Sequence, residues 1–250
     1  MPSRENAKAV AKKLHALAGG VELTRKAAAR EIARLDPTDA TELIHHLLLL
    51  AREGWEPATC VLAYFVSALG LEASQIPYAA SLKRLAMLQD LEPVAALFAD
   101  GPAAKEFDPR AAAKADAKLF TSTLGYLKSR ARLTTNPDEL SKLAVASEPS
   151  VVRNVLLNPR LTEDLVVRIA ARRPARPEPL IEIWRSARWS VRHAVRRALA
   201  FNPYLPPEVG AKIVPLLSTT DLAELAQTSS IHEALRSQAR ALLGASRSGD

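Results

Sequence analysis

The residues best suited to bind another molecule are arginines concentrated in residues 151–200. This arginine segment holds 11 arginines, no lysine and 4 acidic residues, so its net charge of +7 equals that of the whole 250-residue chain. A guanidinium presents planar, paired N–H donors that suit carboxylates and phosphates. The segment is therefore a candidate surface for an acidic protein, a nucleic acid or an anionic ligand. Alternatively, it is only a solvated face in a chain whose bias toward Ala, Arg, Pro and Leu indicates a GC-rich genome.

The part of the arginine segment with the clearest helical pattern is Val191–Ala200. Its apolar residues recur at helical spacing, and its basic residues lie on the opposite arc. Two nearby tryptophans could add aromatic surface beside the arginines, or they could pack between helices, as large aromatic residues usually do. The candidate partner-binding residues are Arg153, Trp184, Arg185, Arg188, Trp189, Arg192, His193, Arg196 and Arg197.

No other pattern in the sequence indicates catalysis, a cofactor or a metal. The chain has no phosphate-binding glycine loop, no G-x-S-x-G motif and no kinase motif set. No two of its histidines lie at i and i+4 with a carboxylate beside them, as the helix of a zinc-dependent hydrolase requires, and the adjacent His45 and His46 point apart on a helix. A single cysteine, Cys60, excludes a disulfide framework and a cysteine-built metal site, and its apolar surroundings predict a buried, inert thiol. We therefore predict no catalytic residue, no cofactor and no metal ligand.

Helical periodicity dominates the elements that must position the arginines. Apolar residues recur at helical spacing over Asn6–Leu17, Leu23–Leu35, Ala40–Arg52, Pro57–Leu69, Pro77–Asp90 and Glu92–Ala99. Asp39 is the expected N-cap of the third of these helices, with Glu42 completing a capping box. No segment alternates as a strand would, and few glycines and aromatic residues argue against an all-β protein. We therefore predict an all-α protein.

Composition also predicts the organisation of the chain and its compartment. Residues 101–118 are rich in Ala and charge and contain two prolines, so they are the expected connector between a helical region at 1–100 and repeats at 119–243. Residues 244–250 are an expected disordered tail. The most apolar stretch, Ala58–Leu69, is shorter than the ~20 residues that span a membrane. With no secretory signal visible at the N-terminus, we expect a cytoplasmic protein that does not contact a membrane.

An Asn-Pro pair punctuates the C-terminal half at regular distances. It occurs at 136–137, 158–159 and 202–203, so the separations are 22 and 44 residues, and the skipped position falls near Glu178-Pro179. Proline ends one helix, and the acidic residues that follow favour the start of the next. Two short helices per unit cannot bury their apolar faces alone, so neighbouring units must stack. This pattern predicts an α-α superhelix, a solenoid of short helix pairs, in the C-terminal half.

The repeat pattern resembles the HEAT/armadillo-like helical repeats and, more closely, the short bacterial type called the leucine-rich repeat variant. The resemblance covers about residues 120–243. It implies stacked helix pairs with an extended surface for macromolecular partners. The founding type of that repeat carries an iron–sulfur cluster on a cysteine motif, which the single cysteine excludes here.

Three functions follow as alternatives. The first is a non-catalytic interaction scaffold that binds an acidic protein partner through the arginine segment, because stacked helix pairs mostly bind proteins. The second is a nucleic-acid-binding protein, for which clustered arginine is the expected footprint. The third is an enzyme resembling the HEAT-like alkylpurine DNA glycosylases, which use a carboxylate beside aromatic residues. Glu182 with Trp184, or Glu178 with Trp189, are the residues that could be placed in that role, but the family's motif does not match residue by residue and no catalytic assignment is made. We favour the scaffold and make no prediction of oligomeric state.

Overall fold

The computed structural model describes residues 4–17, 20–108, 122–144, 146 and 148–245 of the chain. The regular structure in these residues is helical throughout, and none of them forms a β-strand. The predicted all-α fold class is therefore confirmed. Residues 109–118 of the predicted connector and 246–250 of the predicted tail lie outside the described residues, while residues 244 and 245 belong to the last helix.

The α-helices are numbered here in chain order. They are α1 (Arg4–Ala16), α2 (Val21–Ala33), α3 (Pro37–Arg52), α4 (Glu56–Leu71), α5 (Leu82–Leu88), α6 (Glu92–Ala95), α7 (Leu124–Leu133), α8 (Pro137–Leu143), α9 (Pro149–Leu156), α10 (Glu163–Ala171), α11 (Pro177–Arg185), α12 (His193–Ala200), α13 (Pro207–Ile213), α14 (Thr219–Gln227) and α15 (Glu233–Ala245). Short 3₁₀ turns lie at Ala73–Gln75, Ala79–Ser81, Ala96–Phe98 and Val214–Leu216. Within the described ranges, no helix is long and apolar enough to cross a membrane.

The chain divides into two compact units. Unit 1 comprises Met1–Gly101 together with Pro207–Asp250, and unit 2 comprises Pro102–Pro206. The repeat region predicted at 119–243 therefore contributes residues to both units. The arginine segment lies wholly within unit 2.

Unit 1 is built around α3 and α4. Helices α1, α2, α5, α6, α13 and α15 each contact one or both of them. The apolar stripe of α3, including Leu43, Ile44 and Leu47, is fully buried, as is Phe65 of α4. Removing these apolar side chains from water is the main source of stability in such a core.

The start of α3 differs from the sequence prediction. Asp36, not Asp39, is the N-cap, and its carboxylate accepts hydrogen bonds from the backbone N–H groups of Thr38 at 2.9 Å and Asp39 at 3.0 Å. The prediction was wrong because Pro37 occupies the first helical position, where its fixed φ and missing N–H are tolerated. The predicted helix end is confirmed, because Gly54 adopts a φ of +78° directly after the C-cap.

The predicted helix over Pro77–Asp90 is shorter in the structure. The chain first forms the 3₁₀ turn Ala79–Ser81 and then α5, and Asp90 adopts a φ of +55°. Tyr78 lies just before this turn, and its hydroxyl donates to the carbonyl of Ile32 and, at 2.9 Å, to that of Leu35. These contacts join the end of α2 to the approach to α5. Burial, with a smaller contribution from the Asp36 charge, raises the pKa of Tyr78 to about 12.

We expect Tyr78→Phe to lower the free energy of unfolding by about 1–2 kcal/mol near neutral pH, because the two carbonyls lose their hydroxyl donor. The folded-state pKa is raised above its ordinary value of 10.0, so the contribution of Tyr78 is complete below pH 10.0 and declines as the pH rises toward 12. Urea unfolding followed by circular dichroism should therefore show the wild type and the variant converging above pH 10.0. A stability difference that stays constant across that interval would contradict the hydrogen-bond assignment.

Unit 1 also encloses a lysine that the sequence gave no reason to expect in a core. The side chain of Lys212 is almost fully buried, and its Nζ donates at 2.7 Å to the carbonyl of Glu208 within α13. A Cβ placed on Gly70 of α4 would lie 3.0 Å from the Lys212 Cδ, so glycine lets the two helices approach closely. Burial lowers the pKa of Lys212.

In unit 2 each helix contacts the helix two places away along the chain, and chain neighbours also contact each other at α7–α8, α8–α9 and α10–α11. Helix α9 contacts α7 before it and α11 after it, while α10 contacts α8 before it and α12 after it. One series therefore consists of α7, α9 and α11, and the other of α8, α10 and α12. This alternation lets short helices bury their apolar faces against neighbours, as the sequence requires. The superhelical arrangement of the pairs stays a prediction.

Candidate functional site

Buried side chains join neighbouring helices among those that carry the arginines. Each such side chain, which donates hydrogen bonds to the end of an earlier helix, is called a lock below. Asn158, which follows α9, is completely buried, and its Nδ2 donates to the carbonyls of Ala131 at 2.9 Å and Thr134 at 3.0 Å at the end of α7. Its Oδ1 accepts from the backbone N–H of Arg160 at 2.8 Å. The C-terminal carbonyls of a helix have no partner within the helix, so this amide satisfies groups that burial would otherwise penalise.

Asn202 makes the same set of contacts in the other series. It follows α12, and its Nδ2 donates to the carbonyls of Ala170 at 2.7 Å and Arg172 at 3.0 Å at the end of α10. Its Oδ1 accepts from the N–H of Tyr204 at 3.0 Å. Each asparagine thus joins its own helix to the preceding helix of the same series.

Trp189 occupies the corresponding place after α11. Its indole Nε1 donates at 2.9 Å to the carbonyl of Leu156 at the end of α9. Trp189 therefore takes the place after α11 that Asn158 and Asn202 take after their helices, whereas the predicted position, Glu178-Pro179, lies in the first turn of α11. The spacings of 22 and 44 residues do not mark one structural position, because Asn158 follows a helix of the first series and Asn202 follows a helix of the second.

Two of the candidate arginines converge on one buried carboxylate. Arg153 of α9 donates from Nε at 2.9 Å and from Nη2 at 3.0 Å to the two carboxylate oxygens of Glu182 on α11. Arg185 donates from Nη1 to the same carboxylate at 3.0 Å. The side chains of Arg153 and Arg185 are 59% and 55% exposed, while that of Glu182 is 3% exposed. The acid is inside and the guanidinium groups are at the surface.

The charge state of Glu182 follows from these contacts. Burial alone raises the pKa of a carboxyl group, but the hydrogen bonds and positive charges of Arg153 and Arg185 outweigh burial, so the pKa of Glu182 lies below its ordinary value. The same pairing raises the pKa of Arg153. The cluster therefore carries two positive charges and one negative charge near neutral pH.

Arg188 and Arg192 make contacts with residues other than Glu182. The guanidinium of Arg188 lies 4.3 Å from the ring centre of Trp189, and its Nη1 donates at 3.3 Å to the carbonyl of Asn158. The Nη1 of Arg192 lies 3.8 Å from a carboxylate oxygen of Glu163, and both of these side chains are well exposed. Arg188 thus contacts both Asn158 and Trp189, which join neighbouring helices, while Arg192 forms a weak ion pair at the surface.

The remaining candidates are on α12, which begins later than predicted. His193 is its first residue and is exposed, while Val191 and Arg192 precede it and Val191 is not part of the buried stripe. The Nε of Arg196 donates at 2.6 Å to the carbonyl of Ser190. The Arg197 guanidinium lies 4.7 Å from the ring centre of Phe201. These arginines help to fix the start and end of α12.

Both candidate tryptophans are buried. Trp184 and Trp189 are each 3% exposed, which agrees with the alternative that they pack between helices. Glu182 is also buried and ion-paired, so it does not face an open groove beside Trp184 as the glycosylase-like arrangement requires. Glu178 is exposed while Trp189 is buried, which gives the second such pair no better support.

The only cysteine does not behave as expected. Cys60 is exposed on α4, so the prediction of a buried thiol was wrong, because the apolar residues around it in sequence face the core from other sides of the helix. Within the residues that the structure describes, no three His, Cys, Asp or Glu side chains are grouped so that they could hold a metal ion.

Comparisons of the chain with protein-family models, with curated proteins and with solved structures find no match. The resemblance to HEAT/armadillo-like repeats and to the leucine-rich repeat variant therefore stays a prediction. What the chain binds has to be argued from the geometry of its own residues.

Proposed function

We propose that this protein is a non-catalytic interaction scaffold and that the arginine segment binds an acidic surface of a protein partner. The observation that carries this proposal is the cluster of Arg153, Glu182 and Arg185. Long basic side chains usually move independently in solvent, whereas here a buried acid fixes two exposed guanidinium groups. Fixed donors bind a partner with less loss of side-chain entropy.

We also propose that α7–α12 form stacked pairs of a HEAT-like or leucine-rich-repeat-variant type. The two alternating series of contacts and the locks at Asn158, Trp189 and Asn202 support this proposal. A cytoplasmic location is part of the same proposal, because an exposed thiol such as Cys60, the only cysteine of the chain, suits a reducing compartment.

The proposal is tested with acidic and neutral probes. We expect a fluorescently labelled oligoglutamate peptide to bind the full chain in an anisotropy assay, and a matched oligoglutamine peptide not to bind. The affinity should fall as the salt concentration rises from about 50 to about 500 mM, because exposed charges are screened at these ionic strengths. Absence of oligoglutamate binding at low salt would overturn the proposal.

A nucleic acid is the competing partner in this test. Labelled single-stranded RNA and double-stranded DNA, measured under the same conditions, should bind more weakly than oligoglutamate. If either binds more tightly, with the steep salt dependence of counterion release, the acidic-protein proposal is wrong and a nucleic-acid interface replaces it.

A further inference from the structure

We propose that Arg153 and Arg185 form a clamp for one carboxylate side chain of an acidic peptide, and that Glu182 positions both guanidinium groups. This inference rests on the proposed function and names the chemical group that the scaffold recognises. The clamp consists of these three residues only.

The clamp retains unused hydrogen-bond donors. A guanidinium has five N–H groups; Arg153 uses two of them on Glu182, and Arg185 uses one. In the described part of the chain, no other side-chain hydrogen bond of these two arginines occurs. With more than half of each side chain exposed, the remaining N–H groups are accessible to a carboxylate arriving from solvent.

Rigid elements hold the two arginines. Arg153 lies on α9 and Arg185 at the end of α11, and these helices contact each other within one series. The Arg153–Glu182 bonds join the two helices at one point, and the bond from Trp189 to the Leu156 carbonyl joins the same region of chain at a second. A site whose donors are fixed by packing and by supporting hydrogen bonds is preorganised for its ligand.

The charge of the clamp favours a carboxylate over a phosphate ester. Two guanidinium groups and one carboxylate leave a net charge of +1, which one carboxylate side chain neutralises. A phosphorylated side chain carries about −1.5 to −2 charges and would leave the site with excess negative charge beside Glu182. We therefore commit to Asp or Glu side chains as the recognised groups.

Glu182→Gln separates positioning from simple attraction. This change makes the chain more positive, so a binding that depended only on nonspecific electrostatic attraction would become tighter for oligoglutamate. The clamp instead predicts about tenfold weaker binding, because a neutral amide no longer orders the two guanidinium groups. Glu178→Gln, on the exposed side of α11, is the matched control with the same charge change, and its affinity should equal or slightly exceed that of the wild type.

A second pair of variants keeps the charge constant. Arg153→Lys/Arg185→Lys preserves both positive charges beside Glu182 but removes the paired donors, and we expect about tenfold weaker oligoglutamate binding. Arg168→Lys/Arg172→Lys, which changes two exposed arginines at the end of α10, should stay within about twofold of the wild type. Circular dichroism melting of every variant establishes that the fold is intact before binding is compared.

The outcomes separate the clamp from the scaffold proposal. If the wild type binds oligoglutamate but neither Glu182→Gln nor Arg153→Lys/Arg185→Lys weakens binding, the clamp is wrong and the scaffold proposal stands. If a phosphoserine peptide of matched length binds more tightly than oligoglutamate and loses affinity in the lysine variant, the carboxylate assignment is wrong. If the wild type binds no acidic peptide, both proposals fail.

Discussion

Replacing Asn158 with leucine is expected to lower the free energy of unfolding of unit 2 by about 3 kcal/mol. The substitution keeps the approximate volume of the side chain but removes three hydrogen bonds at once. It leaves the carbonyls of Ala131 and Thr134 without the donor that the buried amide supplies. Each buried polar group that loses its partner costs about 1–3 kcal/mol, so the total exceeds that of most surface substitutions.

Asn136→Leu is the matched control for this prediction. Asn136 stands in the same Asn-Pro dipeptide, but it is exposed, and as the N-cap of α8 its side chain accepts from the N–H of Asp138 at 2.9 Å. Loss of such a cap costs about 1 kcal/mol. Urea unfolding followed by tryptophan fluorescence reports on unit 2, because two of the three tryptophans, Trp184 and Trp189, lie in it. Equal destabilisation by both variants would show that Asn158 is not a lock.

Asn202→Leu should resemble Asn158→Leu in size, because Asn202 donates to two carbonyls at the end of α10 in the same way. The two asparagines lie in different series and share no partner, so their effects should be additive within about 0.5 kcal/mol. A combined variant that is markedly less stable than the sum would indicate that the two series depend on each other.

The sequence was a good guide wherever the cause of structure is local. Apolar spacing placed most of the helices, and the all-α class followed from it, because helical periodicity is set within a few turns of chain. The Asn-Pro dipeptides also follow the ends of helices, where proline sterics predict a break. In the structure, however, it is the asparagine side chain that makes the contacts joining neighbouring helices.

Long-range partners could not be predicted from the sequence. The carbonyls that accept from Asn158 lie 24 and 27 residues before it, and which helix end would meet the amide depends on how the two series alternate. The sequence does contain a local indication that Glu182 is buried, because this acid stands between Ile181 and Ile183 in a short apolar helix. Recognising it as the centre of a cluster required knowing that Arg153, 29 residues earlier, packs beside it.

The largest electrostatic effect is expected when the buried carboxylate loses both arginines. Arg153→Met/Arg185→Met leaves Glu182 inside the protein with neither of its two ion-pair partners. Removing the partners of a buried charge costs about 3–5 kcal/mol, so we expect a loss of about 3 kcal/mol near neutral pH. Arg168→Met/Arg172→Met, at exposed positions on and just after α10, should cost less than about 0.5 kcal/mol.

The pH dependence gives this prediction its sharpest test. In the wild type the pKa of Glu182 is lowered, so its contribution is present above the ordinary value of 4.5 and is lost as the pH falls below it. In the double variant burial acts without the arginines and raises the pKa of Glu182, so the neutral acid forms on mild acidification and relieves the penalty. The stability difference between wild type and variant should therefore shrink as the pH falls from neutral toward 4.5.

Adding Glu182→Leu to the double variant should restore most of the lost stability near neutral pH, because an apolar side chain then fills the buried position. A difference that is independent of pH, or a triple variant no more stable than the double, would mean that Glu182 is not the buried charge that orders this part of unit 2.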